Sequence, residues 1–364
     1  MPWRTILEFS KILLHQSHQA YIINGSDNRN LSNYSYEGVD IVNIPLGMDM
    51  LRNYIERHYI NVLLFQVTWR DGLKDFSYLC SLNCRKIAYF SGGVYNLKNA
   101  LYLLFKSSYS AAKPYLIESI VPKSFIRKKL SQARTNAVIG LTPFTTRVCK
   151  QNGISKAYTI LPGQDIFSKL DCSEEVLYKY KLKGQKYLCF TGSDAPTRGL
   201  PLLLETLAEI TLPKDITIVL LIRKDANQKS NNFKSVFHQA MQKNNIVIVE
   251  ERLSKGELKA FFKNAYYMIL PFIVIPSEIP LTYLEILSCG TPIISFSNGG
   301  TTKLLEKALL ISPLSSLGLG KTLFKAVNDD KLRETKSIEA IKLMHSYPTW
   351  DESSKELNKI IFDE

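Results

Sequence analysis

The sequence predicts an α/β protein built from two doubly wound domains that face a cleft. The chain has 364 residues, which is too many for one ordinary core and suits two domains of roughly 150–200 residues each. Short apolar runs alternate with stretches of helical spacing, as in parallel sheets covered by helices on both faces. A loop-like stretch near 161–173 then separates two such sets. We therefore expect an N-terminal domain at 1–165, a C-terminal domain at 166–345 and a separate final segment at 346–364.

The first set begins with a helix over 3–17, because its apolar residues recur at helical spacing. Strands are predicted from five apolar runs: Ala20–Ile23, Ile41–Ile44, Asn61–Val67, Lys86–Phe90 and Ala137–Leu141. Helices are predicted between and after them, at 48–58, 72–82 and 98–108.

The second set shows the same alternation. Its predicted strands are Tyr187–Thr191, Ile216–Ile222, Ile246–Val249, Tyr266–Pro271 and Pro292–Phe296. The helices between them are predicted at 199–210, 230–243, 255–264 and 281–289. Ligands of doubly wound domains bind beyond the carboxyl ends of the strands, so we expect the binding site in the cleft.

The net charge of +13 is unevenly distributed along the chain. Residues 91–160 contain eleven basic residues and a single acid, Glu118. Such a field attracts phosphates, anionic lipid or nucleic acid and does not by itself choose among them. The segment 113–130 mixes these cations with apolar residues, and two interpretations stay open: a core-packed helix with a solvated basic face, or contact with an anionic membrane surface. We expect no nucleic-acid partner, because no stacking platform or nucleic-acid motif accompanies the charge.

Several features predict a soluble protein of the cytoplasm. The longest apolar runs, such as Tyr266–Phe272, are far shorter than the ~18–20 residues that cross a bilayer. The first residues carry no secretory pattern. The six cysteines show neither a disulfide framework nor the spacing of a metal site, so we expect them to be reduced.

The segment 271–300 is the most informative part of the sequence. It is typical of a strand, a loop, a helix, a Gly-Thr-Pro turn into another strand, and a glycine-rich loop. Pro280 suits a first helical turn, which leaves the N–H groups of Leu281 and Thr282 at the positive end of a helix, where anions bind. Glu285 follows one turn later on the same face. A carboxylate behind bound phosphates can accept ribose hydroxyls, so the segment predicts a nucleoside diphosphate site.

This segment resembles the donor-binding region of retaining glycosyltransferases of the GT-B fold, particularly glycosyltransferase family 4, also called group 1. The resemblance implies two Rossmann-like domains and assigns Glu285 to the donor ribose. The family's other glutamate, which contacts the donor sugar, would fall on Ser277. A slip of one residue gives this role to Glu278.

The segment 190–207 resembles the family's phosphate loop. By this resemblance Gly192 lies beside the donor and Arg198 neutralises its diphosphate, where charge builds as the sugar leaves. Ser193 stands where the family has a second cation, and Arg223 or Arg252 could replace it. The donor-binding residues predicted in this way are Gly192, Ser193, Arg198, Arg252, Leu281, Thr282 and Glu285.

The N-terminal domain departs from the family pattern. The family's first strand and glycine loop have no counterpart before the helix at 3–17, so either the start is displaced or the acceptor domain is reduced. The family's histidine after a later strand is also absent, which leaves Ser91 and its neighbouring glycines to shape the sugar site. Glu278 and Ser91 are therefore the predicted catalytic residues. Trp350 resembles the start of the family's final helix, which crosses back to the N-terminal domain.

The resemblance implies a metal-independent hexosyltransferase that needs no bound cofactor. It would move a hexose-type sugar with retention from a UDP- or GDP-linked donor to a glycan or a polyprenyl-linked acceptor. Contact with the inner membrane face through 113–130 would make it a peripheral protein. The alternative is a non-catalytic glycosyltransferase-like subunit that binds a nucleotide or a partner enzyme.

Overall fold

A computed structural model describes residues 2–26, 32–45, 48–223 and 234–362. These residues form two α/β domains, as the sequence predicts. No helix among them is both long enough and apolar enough to cross a membrane.

The N-terminal domain contains short parallel strands with helices between them. Its elements, in chain order, are α1 (Pro2–His15), β1 (Tyr21–Ser26), β2 (Tyr34–Tyr36), β3 (Val39–Pro45), α2 (Met48–Arg57), β4 (Val62–Val67), β5 (Arg85–Phe90), α3 (Leu97–Lys106), α4 (Tyr109–Ile120), α5 (Ser124–Gln132), β6 (Ala137–Gly140), α6 (Pro143–Gln151) and β7 (Ala157–Thr159).

The strands of this domain form two separate sheets, β1-β3-β2 and β4-β5-β6-β7. All pairs are parallel except β2 with β3. Among the described residues, no backbone pairing joins the two sheets. A doubly wound domain normally has one continuous sheet, whereas the described strands of this domain divide into two.

The C-terminal domain begins with two short helices and continues through a complete doubly wound unit. Its elements are α7 (Asp165–Ser168), α8 (Glu175–Lys179), β8 (Lys186–Ser193), α9 (Leu200–Glu209), β9 (Ile216–Arg223), α10 (Lys234–Lys243), β10 (Asn245–Val249), α11 (Lys255–Asn264), β11 (Tyr267–Leu270), α12 (Leu281–Ser288), β12 (Ile293–Phe296), α13 (Gly299–Leu305), β13 (Leu309–Ser312), α14 (Ser316–Asn328) and α15 (Asp330–His345).

The six strands of this domain form one parallel sheet in the order β10-β9-β8-β11-β12-β13. From β8 the chain first builds outward to β10, and it then returns to β11 on the other side of β8. The direction of winding therefore reverses between β8 and β11. Strands β11 and β12 are buried along their whole length, as expected for a sheet covered on both faces.

The last helix, α16 (Trp350–Phe362), packs against α1 of the N-terminal domain. The Trp350 ring meets the Phe9 ring edge to face, with the centroids 5.6 Å apart. The Trp350 backbone N–H donates to the Asp165 carboxylate at 2.9 Å. The Arg85 guanidinium also donates to the Ile360 carbonyl oxygen. Through these contacts one hydrophobic core runs through both domains.

Two sequence predictions are wrong in detail. The helix expected at 72–82 is replaced by two 3-10 turns, Trp69–Leu73 and Ser77–Ser81. Asp71 accepts the backbone N–H of Thr68 at 2.7 Å, and Asp75 accepts that of Ser77 at 2.9 Å. Such local side-chain caps compete with a continuous helix. The stretch 113–130 is likewise divided between α4 and α5, which separate at Val121.

Candidate functional site

The loops that the sequence predicts to bind the donor meet where the winding of the C-terminal sheet reverses. The end of β8 and the loop after it carry Gly192 to Arg198, and the loop after β11 leads into α12 at Leu281. Strands β8 and β11 are direct neighbours, with Tyr267 paired to Leu188. In doubly wound folds ligands bind at this reversal point, beyond the carboxyl ends of the strands. The sheet topology thus brings two segments about 80 residues apart to one place.

Arg198 is held by the packing of these two loops. Its guanidinium carbon lies 4.5 Å from the centroid of the Phe272 ring, a cation–π arrangement. The Thr197 carbonyl accepts the Ile273 N–H at 3.0 Å, which links the loops directly. Gly199 has a φ of +72°, and a Cβ there would lie 1.9 Å from the Pro271 carbonyl oxygen. Glycine is therefore required for Arg198 to precede α9 in this position.

Helix α12 begins at Leu281, with Pro280 as its N-cap rather than in its first turn. Leu281 and Thr282 are half-buried at its N-terminal end, where unpaired N–H groups attract anions. Glu285 follows one turn later. Its carboxylate is bound by the Arg4 guanidinium of α1, with Nη2 and Oε1 2.8 Å apart. An N-terminal residue therefore reaches the predicted ribose-binding group across the cleft.

The two candidates for a second cation lie at the neighbouring strand ends. Arg223 is the register partner of Ser193, the position where the cation is missing, and its side chain is exposed. Arg252 is exposed in the loop after β10, one strand further from β8. Of the two, Arg223 is therefore the closer in register to the predicted phosphate loop.

Glu278 is buried between the domains, only 2 % exposed. One carboxylate oxygen accepts the Leu141 N–H at 3.1 Å, and the other accepts the hydroxyls of Thr142 and Thr145. These three donors belong to the start of α6 in the N-terminal domain. Burial raises the pKa of the Glu278 carboxyl group from 4.5 to about 7, and the hydrogen bonds oppose this rise. Glu278 thus joins the domains as well as lining the cleft.

Ser91 lies directly beside Glu278. Its carbonyl oxygen accepts the Glu278 N–H at 3.2 Å, and its hydroxyl accepts the Gln66 side-chain N–H at 2.5 Å. Gly93 follows in close contact with the Glu278 side chain, 3.7 Å from its Cγ at the place a Cβ would occupy. The structure therefore brings together the two residues that the sequence predicts to be catalytic.

The cleft is closed by protein at this point. The cavity between the loop Gly93–Asn96 and the loop Asn298–Thr301 measures only about 10 Å³, which is little more than the space for one water molecule. The cavity beside Arg4 and Glu285 measures about 30 Å³. A bound small molecule usually occupies roughly 300–1,000 Å³. A nucleotide sugar can therefore enter only if these contacts open.

A larger hollow of about 610 Å³ is lined by residues around Arg85 and Arg134. It lies at the amino ends of β5 and β6, whereas the predicted site lies beyond the carboxyl ends of the strands. The hollow is therefore not the candidate site.

Five residues that were not among the predicted site residues hold the cleft together: Arg4, Tyr95, Asn99, Thr142 and Thr145. Asn99 is buried in α3, and its amide donates to the carbonyl oxygens of Ile273 and Ser297, at 2.9 Å each. The Tyr95 hydroxyl donates to the Pro276 carbonyl oxygen at 3.2 Å. Only Arg4 had a sequence signal, as a cation within the mostly apolar start of the first helix.

Glu118 is a second buried carboxyl group near this loop. Burial raises its pKa from 4.5 to about 7, although Arg70 lies 3.7 Å away. Its Oε2 has no hydrogen-bond partner in the described part of the chain. It would lie 3.8 Å from a Cβ placed on Gly92. The N-terminal side of the cleft therefore also contains a buried carboxyl group whose pKa is raised to about 7.

The described residues contain no cluster of three or more His, Cys, Asp or Glu side chains that could hold a metal ion.

Residues 174–342 match the family model of the glycosyl transferases group 1. The match includes both loops at the sheet reversal and α12. The C-terminal domain is therefore a group 1 glycosyltransferase domain. No curated protein matches the chain in sequence.

Solved structures extend the similarity to the N-terminal half of the chain. Sucrose-phosphate synthase from Thermosynechococcus elongatus superposes with a TM-score of 0.74 at 12% identity, covering 98% of this chain and 91% of that one. WaaG, a glycosyltransferase involved in lipopolysaccharide biosynthesis, gives 0.65 at 15% identity, covering 100% and 96%. Anabaena HepE in complex with UDP and glucose gives 0.67 at 12% identity, covering 100% and 96%. The whole chain therefore has the GT-B fold.

Proposed function

We propose that the protein transfers a hexose-type sugar, with retention, from a nucleoside diphosphate donor to a glycan or a polyprenyl-linked acceptor. The observation that carries this proposal is the meeting of Arg198, the N-terminus of α12 and Glu285 at the reversal point of the group 1 domain. UDP is the first candidate nucleotide, because similar structures hold UDP with glucose or a UDP-linked fluoroglucose. GDP is the second.

Breaking the bond between sugar and diphosphate leaves negative charge on the departing phosphate. Arg198 can neutralise this charge, and its stacking on Phe272 fixes its direction. The N–H groups of Leu281 and Thr282 add the positive end of the α12 dipole. Glu285 is placed to accept hydrogen bonds from the ribose hydroxyls one turn behind. These groups need no metal ion to stabilise the departing diphosphate.

Arg4, which is not among the residues predicted to bind the donor, pairs with Glu285. The ribose can bind Glu285 only if Arg4 leaves or shares that carboxylate. Because Arg4 and Leu281 line the same small cavity, a released guanidinium stays beside the start of α12. We propose that it then contacts the diphosphate and supplies part of the cation missing at Ser193.

Glu278 and Ser91 are proposed to contact the sugar. Glu278 lines the gap between the domains next to Gly93 and Gly300, and Ser91 accepts the Glu278 backbone N–H. Opening of the Gly93–Asn96 loop would expose the Glu278 carboxylate to a sugar hydroxyl in place of Thr142 and Thr145. Glu278→Ala should then lower turnover while nucleotide affinity changes little.

Isothermal titration of the folded protein with UDP, GDP and ADP tests the donor site. We expect one of them to bind, and Arg198→Ala to weaken the diphosphate about tenfold or more while the matching nucleoside changes little. Lys183→Ala is the control, since it removes an exposed cation paired with Glu174 far from the cleft. Binding of none of the three nucleotides would overturn the donor-site assignment.

The closed cleft favours one alternative, a non-catalytic subunit of the same fold that binds a nucleotide or a partner enzyme. The two are separated by incubating the protein with UDP-linked hexoses and a set of glycan and polyprenyl-linked acceptors, and following the anomeric proton by NMR. An enzyme transfers the sugar to an acceptor oxygen with the configuration it had in the donor and releases UDP. A protein that binds UDP and leaves every donor intact would support the subunit.

A further inference from the structure

We propose that an apolar surface on α3 and the start of α4 docks the protein on an anionic lipid bilayer. We call this surface the α3 face and define it as Leu97, Leu101, Phe105 and Tyr109. The proposal goes beyond the transfer reaction, because it concerns where the protein is held and involves no residue assigned to the donor.

The α3 face is apolar and open to solvent. Leu97, Leu101, Phe105 and Tyr109 are 43, 38, 83 and 63 % exposed, respectively. The first three are spaced by four residues and so share one side of the helix. A row of exposed large apolar side chains along one helix face marks an interaction surface rather than ordinary scatter.

The opposite side of α3 is anchored, so the exposed row cannot turn inward. Ala100 and Leu103 are fully buried. Asn99 donates to two carbonyl oxygens of the C-terminal domain. The sequence pattern of α3 is therefore apolar on both sides, and the buried side is already used for joining the domains.

The charge around the α3 face has one sign. Residues 97–134 contain eight basic residues and one acid, Glu118, and Glu118 is buried. Lys98 and Lys113 lie on or beside the face, and the Lys113 ammonium lies 6.0 Å from the centroid of the Tyr109 ring. Lys106 is neutralised by Glu205 at 2.9 Å. The described surface of this segment therefore presents apolar side chains among cations.

The combination of exposed apolar side chains and surrounding lysines indicates which partner binds the α3 face. Apolar residues entering the headgroup boundary, with lysines around them, are typical of helices that lie on anionic membranes. A second copy of the chain would bring two strongly basic segments together, which charge repulsion opposes. Nucleic acid would require cations in the centre of the surface, which here is aliphatic.

The structure also refines which residues make contact. In the stretch 113–130, Val121, Ile126 and Leu130 are buried, and only Ile120 and Phe125 are well exposed among its apolar side chains. The Lys123 ammonium lies over the Trp69 ring and donates to the Glu118 carbonyl oxygen. The stretch thus supplies charge, whereas the apolar contact comes from the α3 face.

Co-sedimentation tests the proposal with vesicles of phosphatidylcholine alone or mixed with an equal part of phosphatidylglycerol. We expect the full chain to sediment with the anionic vesicles, and less so as salt is added. The apolar variant Leu97→Ser/Leu101→Ser/Phe105→Ser and the charge variant Lys98→Gln/Lys113→Gln should each lower the bound fraction at least about tenfold.

A matched control removes apolar side chains of similar exposure from the C-terminal domain: Tyr178→Ser/Leu317→Ser/Ile338→Ser. It should sediment like the wild type. Circular dichroism and thermal melts check that each variant folds. UDP titration separates this test from the proposed function, since the α3 variants should bind nucleotide as the wild type does.

Three results would overturn the proposal. The first is equal sedimentation of the wild type and the apolar variant. The second is a concentration-dependent dimer that the apolar variant loses, which would assign the face to a second copy. The third is RNA binding that the apolar variant loses while vesicle binding is unchanged.

Discussion

The Glu278 carboxyl group should make the stability of the protein depend on pH, and replacing it by glutamine should remove that dependence. The carboxyl group is almost fully buried between the domains, and it accepts hydrogen bonds from the start of α6. Burial disfavours its charged form and raises its pKa from 4.5 to about 7. Its protonation is therefore coupled to unfolding.

The size and sign of the effect follow from the difference between the pKa of Glu278 in the unfolded and in the folded chain. Below pH 4.5 the group is protonated in both the folded and the unfolded chain, so stability is fully present. As the pH rises the unfolded chain ionises first, and the free energy of unfolding falls until the pH passes the folded pKa of about 7. The full loss is about 3 kcal/mol, of which about 2 to 3 kcal/mol falls between pH 5 and pH 8.

The assay is urea unfolding of the wild type and Glu278→Gln at several values of pH from 5 to 8, followed by tryptophan fluorescence. The buried Trp69 and Trp350 report on the N-terminal domain and on the junction of the domains. The variant should gain about 2 to 3 kcal/mol relative to the wild type across this range. Glu334→Gln, on an exposed part of α15, controls for removing a surface carboxylate. Parallel pH profiles for the wild type and Glu278→Gln would refute the reasoning.

Three further predictions concern the cleft. Glu285→Ala should weaken both UDP and uridine by about 1–3 kcal/mol in titration calorimetry, because it removes a charged acceptor of ribose hydroxyls; a loss confined to UDP would contradict the ribose assignment. Arg4→Gln should weaken the binding of UDP and leave the binding of uridine unchanged or tighter, because it removes a phosphate partner and also frees Glu285. Tighter binding of both ligands would mean that Arg4 only competes with the ribose for Glu285. Asn99→Ala should lower the free energy of unfolding by about 1–3 kcal/mol, because two buried carbonyl groups lose their donor. An unchanged urea midpoint, beside an Asn83→Ala control at an exposed position before β5, would show that the domain contact contributes little.

The elements with strong local patterns could be predicted from the sequence. The strands β8, β9 and β12 and the helices α9, α11 and α12 lie within one or two residues of their predicted ends. Their burial depends on apolar periodicity within a few turns or strand residues, which the sequence displays directly. The prediction at 72–82 is wrong because two aspartates cap short turns there, and this local competition outweighs the periodicity.

The site likewise contains residues that the sequence predicts and contacts that only the tertiary structure shows. A cation at 198, free N–H groups at 281 and 282 and a carboxylate at 285 follow from residue type and helical spacing alone. The contact of Arg4 with Glu285 joins residues 281 positions apart, and the burial of Glu278 depends on the docking of α6 from the other domain. No local pattern contains either fact. The sequence by itself determined the fold class and the groups available for a diphosphate. Only the tertiary structure decided their partners, their titration and which face of α3 is left to solvent, because these depend on how two separately patterned domains close on one another.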